Sequence, residues 1–149
     1  KEVVKEKNIH TLWFEAHYMY RKQLAKFAEQ FDGVEVKFRC GVESFDGQLR
    51  EQWKKGVAAN VTVADVAKHF QGVCLLCCTK GDTKERILRD IALAEQYFEY
   101  ASVNVFCENS TSVKRDDGLA KWFVEEVYPT LKQSKKIEIL INNTDLGVG

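Results

Sequence analysis

From Val73 to Thr79 the chain is apolar almost without a break, the mark of a strand covered on both faces. Gly81 and Asp82 end the run, and Ile87, Ile91, Ala94 and Phe98 then recur at the spacing of a long amphipathic helix. Asp82 followed by Glu85 gives that helix a box-like start. A buried strand that hands over to a helix is half of a parallel βα unit, so the flanking chain is expected to supply further strands and crossovers.

The same alternation runs through the sequence. Ile9 to Phe14 is β-rich, and Leu24, Phe27, Ala28 and Phe31 predict a helix over 20–31. Asp32-Gly33 is a turn, Val34 to Val42 alternates as a strand, and Asp46 is the N-cap of a helix ending at Lys55 with Gly56 just past it. Thr62 and Asp65 form a capping box for a helix to about Phe70, which Gly72 breaks. Ala101 to Cys107 is the next strand, Asp116 caps a helix with Leu119, Phe123, Val127 and Leu131 on one face and Pro129 near its end, and Ile137 to Ile141 closes the series. The class is α/β with parallel strands. Periodicity does not separate an open doubly wound sheet from part of a (β/α) barrel.

At 149 residues the chain reads as a single domain, 1–149, long enough to bury a core without disulfides or metal. Lys plus Arg and Asp plus Glu both number 22, a balance that suggests no polyanion-binding surface, so neither nucleic acid nor an anionic membrane is an expected partner, while a small anionic ligand stays open. No apolar run approaches the roughly 18 to 20 residues that cross a bilayer. Five cysteines, mostly in apolar strand-like contexts, read as reduced thiols and predict a cytoplasmic location. The charged start, Lys1 to Asn8, lacks the apolar core of a signal peptide and reads as the inside of a helix. Asn142 to Gly149 reads as a strand entering an unfinished loop, so the chain is expected to be a fragment of a larger domain.

Chemistry-bearing residues gather where strands end, the position of binding groups in parallel α/β folds. After the second strand, Arg39-Cys40-Gly41-Val42-Glu43-Ser44-Phe45-Asp46 carries two carboxylates and a hydroxyl at a helix start; Ser44 or Asp46 can cap the helix, whereas Glu43 has no capping duty. Thr79-Lys80-Gly81-Asp82-Thr83-Lys84-Glu85 is, taken alone, an ordinary βα loop. It gains weight from following the first motif, because neighbouring strand ends converge on one cleft. Asn104, Glu108 and Asn109 lie on or beyond the next strand, and Asn142, Asn143 and Asp145 beyond the last. A buried Asn104 needs a structural hydrogen bond or a ligand. After the first strand come Glu15, His17, Tyr18, Tyr20 and Arg21, of which Glu15 and Arg21 are the site candidates and His17 is left open. His10 and His69 have no partner motif.

Cys74, Cys77 and Cys78 invite a metal reading. On a strand, however, positions 74 and 78 share one face and 77 takes the other, so three thiolates do not converge. No second Cys pair or nearby His completes a zinc site, and these are read as buried thiols.

Gly41-Val42-Glu43-Ser44-Phe45-Asp46, with Lys55-Gly56 after it, resembles the segment Gly-Val-Glu-Ser-Phe-Asp that radical S-adenosylmethionine (radical SAM) enzymes often carry at their fourth strand. Cys77-Cys78-Thr79-Lys80-Gly81-Asp82-Thr83-Lys84-Glu85 is similar to the family's looser fifth-strand pattern, with the first Gly replaced and the Glu displaced. The resemblance spans essentially the whole chain. It implies that Glu43 and Ser44 hold the SAM ribose, that Thr79, Gly81 and Asp82 support the adenosyl and methionyl groups, that Asn104, Glu108 or Asn109 lies near adenine, and that Glu15 takes the methionine amino group.

The family's three-cysteine motif, Cys-x-x-x-Cys-x-x-Cys, is not in this sequence. It normally follows the first strand and holds a 4Fe–4S cluster, so the resemblance implies the C-terminal part of a partial TIM-like barrel whose parent binds SAM and the cluster. That parent would take electrons from an external donor, cleave SAM to a 5′-deoxyadenosyl radical and abstract hydrogen from an unidentified small molecule, while the fragment itself would be inactive and would hold neither SAM nor the cluster tightly. The alternative is a non-catalytic α/β ligand-binding or interaction module with the same polar mouth. An ordinary Rossmann-like enzyme has less support, because no G-x-G-x-x-G, P-loop or nucleophile elbow is present.

Overall fold

The computed structural model describes Val3 and residues 6–141. Its strands are β1 (Thr11–Glu15), β2 (Glu35–Glu43), β3 (Gly72–Cys77), β4 (Tyr100–Val105) and β5 (Ile137–Leu140). They form one five-stranded sheet in the order β1-β2-β3-β4-β5, with every neighbouring pair parallel. A doubly wound sheet reverses its strand order at a switch point; this one never does, and each crossover steps one strand onward. The choice left open by periodicity is thereby settled as a partial (β/α) barrel.

The first crossover holds a 3₁₀ turn (Tyr18–Tyr20) and α1 (Leu24–Ala28); the second holds α2 (Gly47–Gln52) and α3 (Val63–Ala67). The third is α4 (Lys84–Tyr97), and the fourth runs through α5 (Asp117–Trp122), a π-helical turn (Phe123–Val127) and α6 (Tyr128–Leu131). The expected caps at Asp46, Thr62 and Asp116 are formed, and the Thr62 and Asp65 box is reciprocal. Pro129 cannot continue an ordinary ladder, and the π turn just before it, where Tyr128 N–H donates to Phe123 O, takes up the misfit.

Three expectations are corrected. The helix over 20–31 is broken into the 3₁₀ turn and the short α1. The helix capped by Asp46 stops at Gln52, because Lys54 takes a left-handed φ of 53° and turns the chain before Gly56 does so again at 67°. At the start of α4 the cap is Thr83, whose hydroxyl accepts from Arg86 N–H at 3.1 Å, rather than the Asp82 and Glu85 box.

Strand alternation divides the sheet into two unlike faces. Phe38, Cys40, Val42, Val73, Leu75, Cys77, Ala101, Val103 and Ile137 pack under the helices with Val66, Phe70, Ile87, Ile91, Phe98 and Phe123. The other face carries Glu15 opposite Arg39, Cys74 opposite Ser102, and Leu76 opposite Asn104. So β3 is buried along most of its length, as its apolar run implies, with Leu76 half-buried where the other face meets polar neighbours. Cys78 departs from strand parity: β3 ends at Cys77, Cys78 is left-handed with φ 66°, and both thiols sit in the core 3.6 Å apart. No helix among the described residues is long and apolar enough to cross a membrane.

Candidate functional site

A cavity of about 470 Å³ opens on the polar face at the C-terminal ends of the strands. Glu15 of β1 enters it paired with Arg39 of β2, with Nη2 to Oε2 at 3.2 Å, and the Cys74 thiol of β3 lies 3.7 Å from the same oxygen. Burial pushes the Cys74 thiol up to about 11, so it stays an S–H group at neutral pH. Glu43, only 7 % exposed, meets Lys55 Nζ at 3.0 Å. Burial raises its pKa, against the pull of Lys55 and with a smaller push from Glu15.

Gly41 lies between Glu15 and Glu43. A Cβ there would lie 3.6 Å from Glu15 Oε1 and 3.8 Å from Glu43 Oε1, so the two carboxylates flank bare backbone. On the far wall Asn104 Nδ2 donates to Leu75 O at 3.4 Å, while its buried Oδ1 has no partner among the described residues. A buried amide oxygen left so is an acceptor waiting for a donor. Glu108 and Asn109 continue the rim, with Asn109 Oδ1 accepting from Thr111 N–H at 3.0 Å and its hydroxyl at 2.6 Å.

Glu43 reaches the cavity through an unusual backbone. Its φ is 64°, and Ser44 N–H donates to Val42 O at 2.8 Å, which closes a three-residue γ-turn of the rare positive-φ form. The β2–β3 register shifts between Cys40 and Glu43, as expected where the strand must bend.

Of the candidate residues, Glu15, Glu43, Asn104, Glu108 and Asn109 are brought together around the cavity. Ser44, Thr79, Gly81 and Asp82 are not among its lining. Ser44 is fully buried and donates its hydroxyl to Asp90 Oδ2 at 2.6 Å. Thr79 is fully buried and bridges to Arg115, beyond the left-handed turn at Cys78. Gly81, at φ 89°, sits in the exposed loop, and Asp82 accepts from Cys78 N–H at 3.0 Å and pairs with Arg86. Asn142, Asn143 and Asp145 lie outside the described residues. His17 takes a positioning place, with Nε2 2.7 Å from Lys55 O and Nδ1 accepting from Met19 N–H at 3.1 Å.

Sequence reasoning missed Arg39, Lys55 and Cys74 as cavity groups, and Arg86 and Asp90 behind the sheet. A signal existed for the last two. Arg86 and Asp90 stand four residues apart beside the apolar stripe of Ile87 and Ile91, with Asp82 four residues before, a spacing at which opposite charges can pair.

The side chains present suit one group of an implied pair and not the other. Two carboxylates, each ion-paired through one oxygen, beside a buried, unpartnered amide oxygen offer acceptors that fit a hydroxyl- and amino-bearing ligand such as SAM. The thiols do not fit a 4Fe–4S cluster: Cys40, Cys77 and Cys78 lie in the helix-covered core, Cys74 and Cys107 face the cavity, and burial raises Cys40 to about 12. No cluster of three or more His, Cys, Asp or Glu side chains suited to a metal occurs among the described residues.

No protein-family model and no curated protein matches the chain. Among solved structures it is similar to a queuine lyase from Clostridium spiroforme bound to SAM and queuine, at 35 % sequence identity and a TM-score of 0.88. The match covers 99 % of this chain and 64 % of that one, so the chain spans somewhat under two thirds of the lyase's length. The two share one fold, a partial (β/α) barrel.

Proposed function

We propose that this chain is the later part of a radical SAM barrel, a single domain continuous with a preceding segment, and that its cavity binds SAM. The observation that carries the reading is the likeness to a SAM-bound lyase over 99 % of the chain, with Glu15, Glu43 and Asn104 gathered at the strand ends. Glu15 and Glu43 would receive the amino group and ribose hydroxyls, and Asn104 Oδ1, with Glu108 and Asn109 at the rim, would face adenine. Ser44, Thr79, Gly81 and Asp82 would serve by shaping the strand ends. In the whole protein a cluster held by an upstream three-cysteine motif, fed by an external electron donor, would supply reductive cleavage of SAM and hydrogen abstraction.

The substrate class we infer is queuine or a close analogue, on the strength of the lyase's second ligand. The free thiols Cys40, Cys74, Cys77, Cys78 and Cys107 support a reducing, cytoplasmic setting.

Calorimetry with SAM tests the site in this chain. We expect weak binding, lowered about a further tenfold or more in Glu43→Ala, the loss of one charge-assisted contact. Unchanged affinity would remove Glu43 from the site. The 149-residue chain given iron and sulfide should release no 5′-deoxyadenosine under reduction, and the whole protein should. Binding without release by the whole protein would favour the non-catalytic ligand-binding module.

A further inference from the structure

Behind the sheet, outside the lining of the cavity, lies a buried set of charges. Arg86 on α4 is 7 % exposed and Asp90 1 %, one turn apart on the same helix. Arg86 Nη1 donates to Asp90 Oδ2 at 2.9 Å, its Nε donates to Asp82 Oδ1 at 2.6 Å, and Nη2 closes the fork on Asp82 Oδ2. Its remaining donors reach Leu76 O at 3.2 and 3.3 Å, the backbone of β3 itself.

The two carboxylates each turn outward to a strand end. Asp90 Oδ2 accepts from the Ser44 hydroxyl at 2.6 Å and from Phe45 N–H at 3.1 Å, and Ser44 Oγ in turn accepts from Asp46 N–H at 2.9 Å. Asp82 Oδ2 accepts from Cys78 N–H at 3.0 Å. The residues held in this way directly follow or include the left-handed ones, Glu43 at φ 64° and Cys78 at φ 66°. A non-glycine residue keeps such a conformation only where its surroundings over-determine it.

Three charges taken out of water are a costly way to brace a loop that packing alone could hold. Their arrangement is explained if the shape of the strand end matters more than the stability lost. We infer that Asp90, locked by Arg86 and Asp82, is a positioning residue for the cavity: through Ser44 and Phe45 it holds the γ-turn that aims Glu43 at Glu15 and Lys55. Asp90 touches no cavity ligand, and its effect travels through the backbone on either side of Glu43. The affinity part rests on the reading that the cavity takes SAM; the positioning part does not.

Two variants and two readouts separate these. Asp90→Asn breaks the charge balance with Arg86, while Ser44→Ala removes only the hydroxyl link and keeps the fold if Asp90→Asn does not. The first readout is the carboxyl carbon of Glu43 followed by NMR through a pH titration. Wild type should titrate above the ordinary glutamate range, with Glu15 and Lys55 as the charges facing it, and both folded variants should move toward that range as the side chain swings to solvent. The second is SAM affinity by calorimetry, expected to fall about tenfold in each variant, matching Glu43→Ala.

If the Glu43 titration is unmoved in the folded variants, the triad is a structural strut and the inference is overturned. The same follows if Ser44→Ala weakens SAM binding with Glu43 unmoved, since Ser44 would then act directly. A shifted Glu43 in a chain whose wild type binds no SAM upholds the positioning role and sinks the SAM reading instead.

Discussion

Glu43 shows how one residue can work against the fold that carries it. Its ordinary value is 4.5, and burial raises it in the folded chain. The folded state therefore holds that proton more tightly than the unfolded state does. From the ordinary carboxylate range up to the raised value, stability falls as pH rises, and the cost is fully present above both values. Lys55 offsets part of it without reversing the sign. Glu43→Gln is expected to melt no lower than the parent at pH 7 and to lose that advantage near pH 4, checked by melting temperature across the range. A variant less stable at pH 7 than at pH 4, relative to the parent, would mean that the Lys55 pair outweighs desolvation. The residue itself was legible in the sequence, as an acid past a strand with no cap to make. Its conformation was not, because a left-handed φ on Glu is imposed by Asp90, which lies 47 positions along the chain.

At the scale of elements, α2 is pressed onto the loop that follows it. Arg50 is fully buried, and its guanidinium gathers Ser44 O at 3.2 Å, Ala58 O at 3.0 Å, Ala59 O at 3.2 Å and Val61 O at 2.8 Å. The approach is close enough that only glycine fits at the head of the helix. A Cβ on Gly47 would stand 2.8 Å from Ala59 Cα and 2.9 Å from its carbonyl carbon, both backbone atoms. Gly47→Ala should therefore cost about 1 to 3 kcal/mol, the range for overpacking against atoms that yield little. A thermal melt unchanged from the parent would show the loop free to move away. The caps at Asp46, Thr62 and Asp116 were readable because capping is a local contract between a side chain and the next turn. The early stop at Gln52 and the cap at Thr83 were not: the first depends on Lys54 turning left-handed, and the second on Asp82 being drawn off to Arg86. Strand order was equally out of reach, since periodicity says which residues form strands and nothing about which strands lie side by side.

The molecule as a whole is one sheet with two unlike sides, and Leu75 and Leu76 separate them within a single peptide bond. Leu75 is 1 % exposed and belongs to the helix-covered core with Val73 and Val103. Leu76 points the other way, paired across the sheet with Asn104, and lines the cavity. The two have the same chemistry and are neighbours on the same strand, so a difference between them reports the face. Leu75→Ala should cost about 2 to 5 kcal/mol, the transfer loss plus the void it leaves. Leu76→Ala should cost roughly 1 kcal/mol or less, because its side chain borders open space and little packing is removed. Its effect should instead fall on SAM binding, which Leu75→Ala should leave alone so long as the chain stays folded. Urea unfolding gives the first comparison and calorimetry the second. Equal destabilisation by the two variants would mean that the inner face is packed as tightly as the outer one. There would then be no cavity at the strand ends for Glu15, Glu43 and Asn104 to serve.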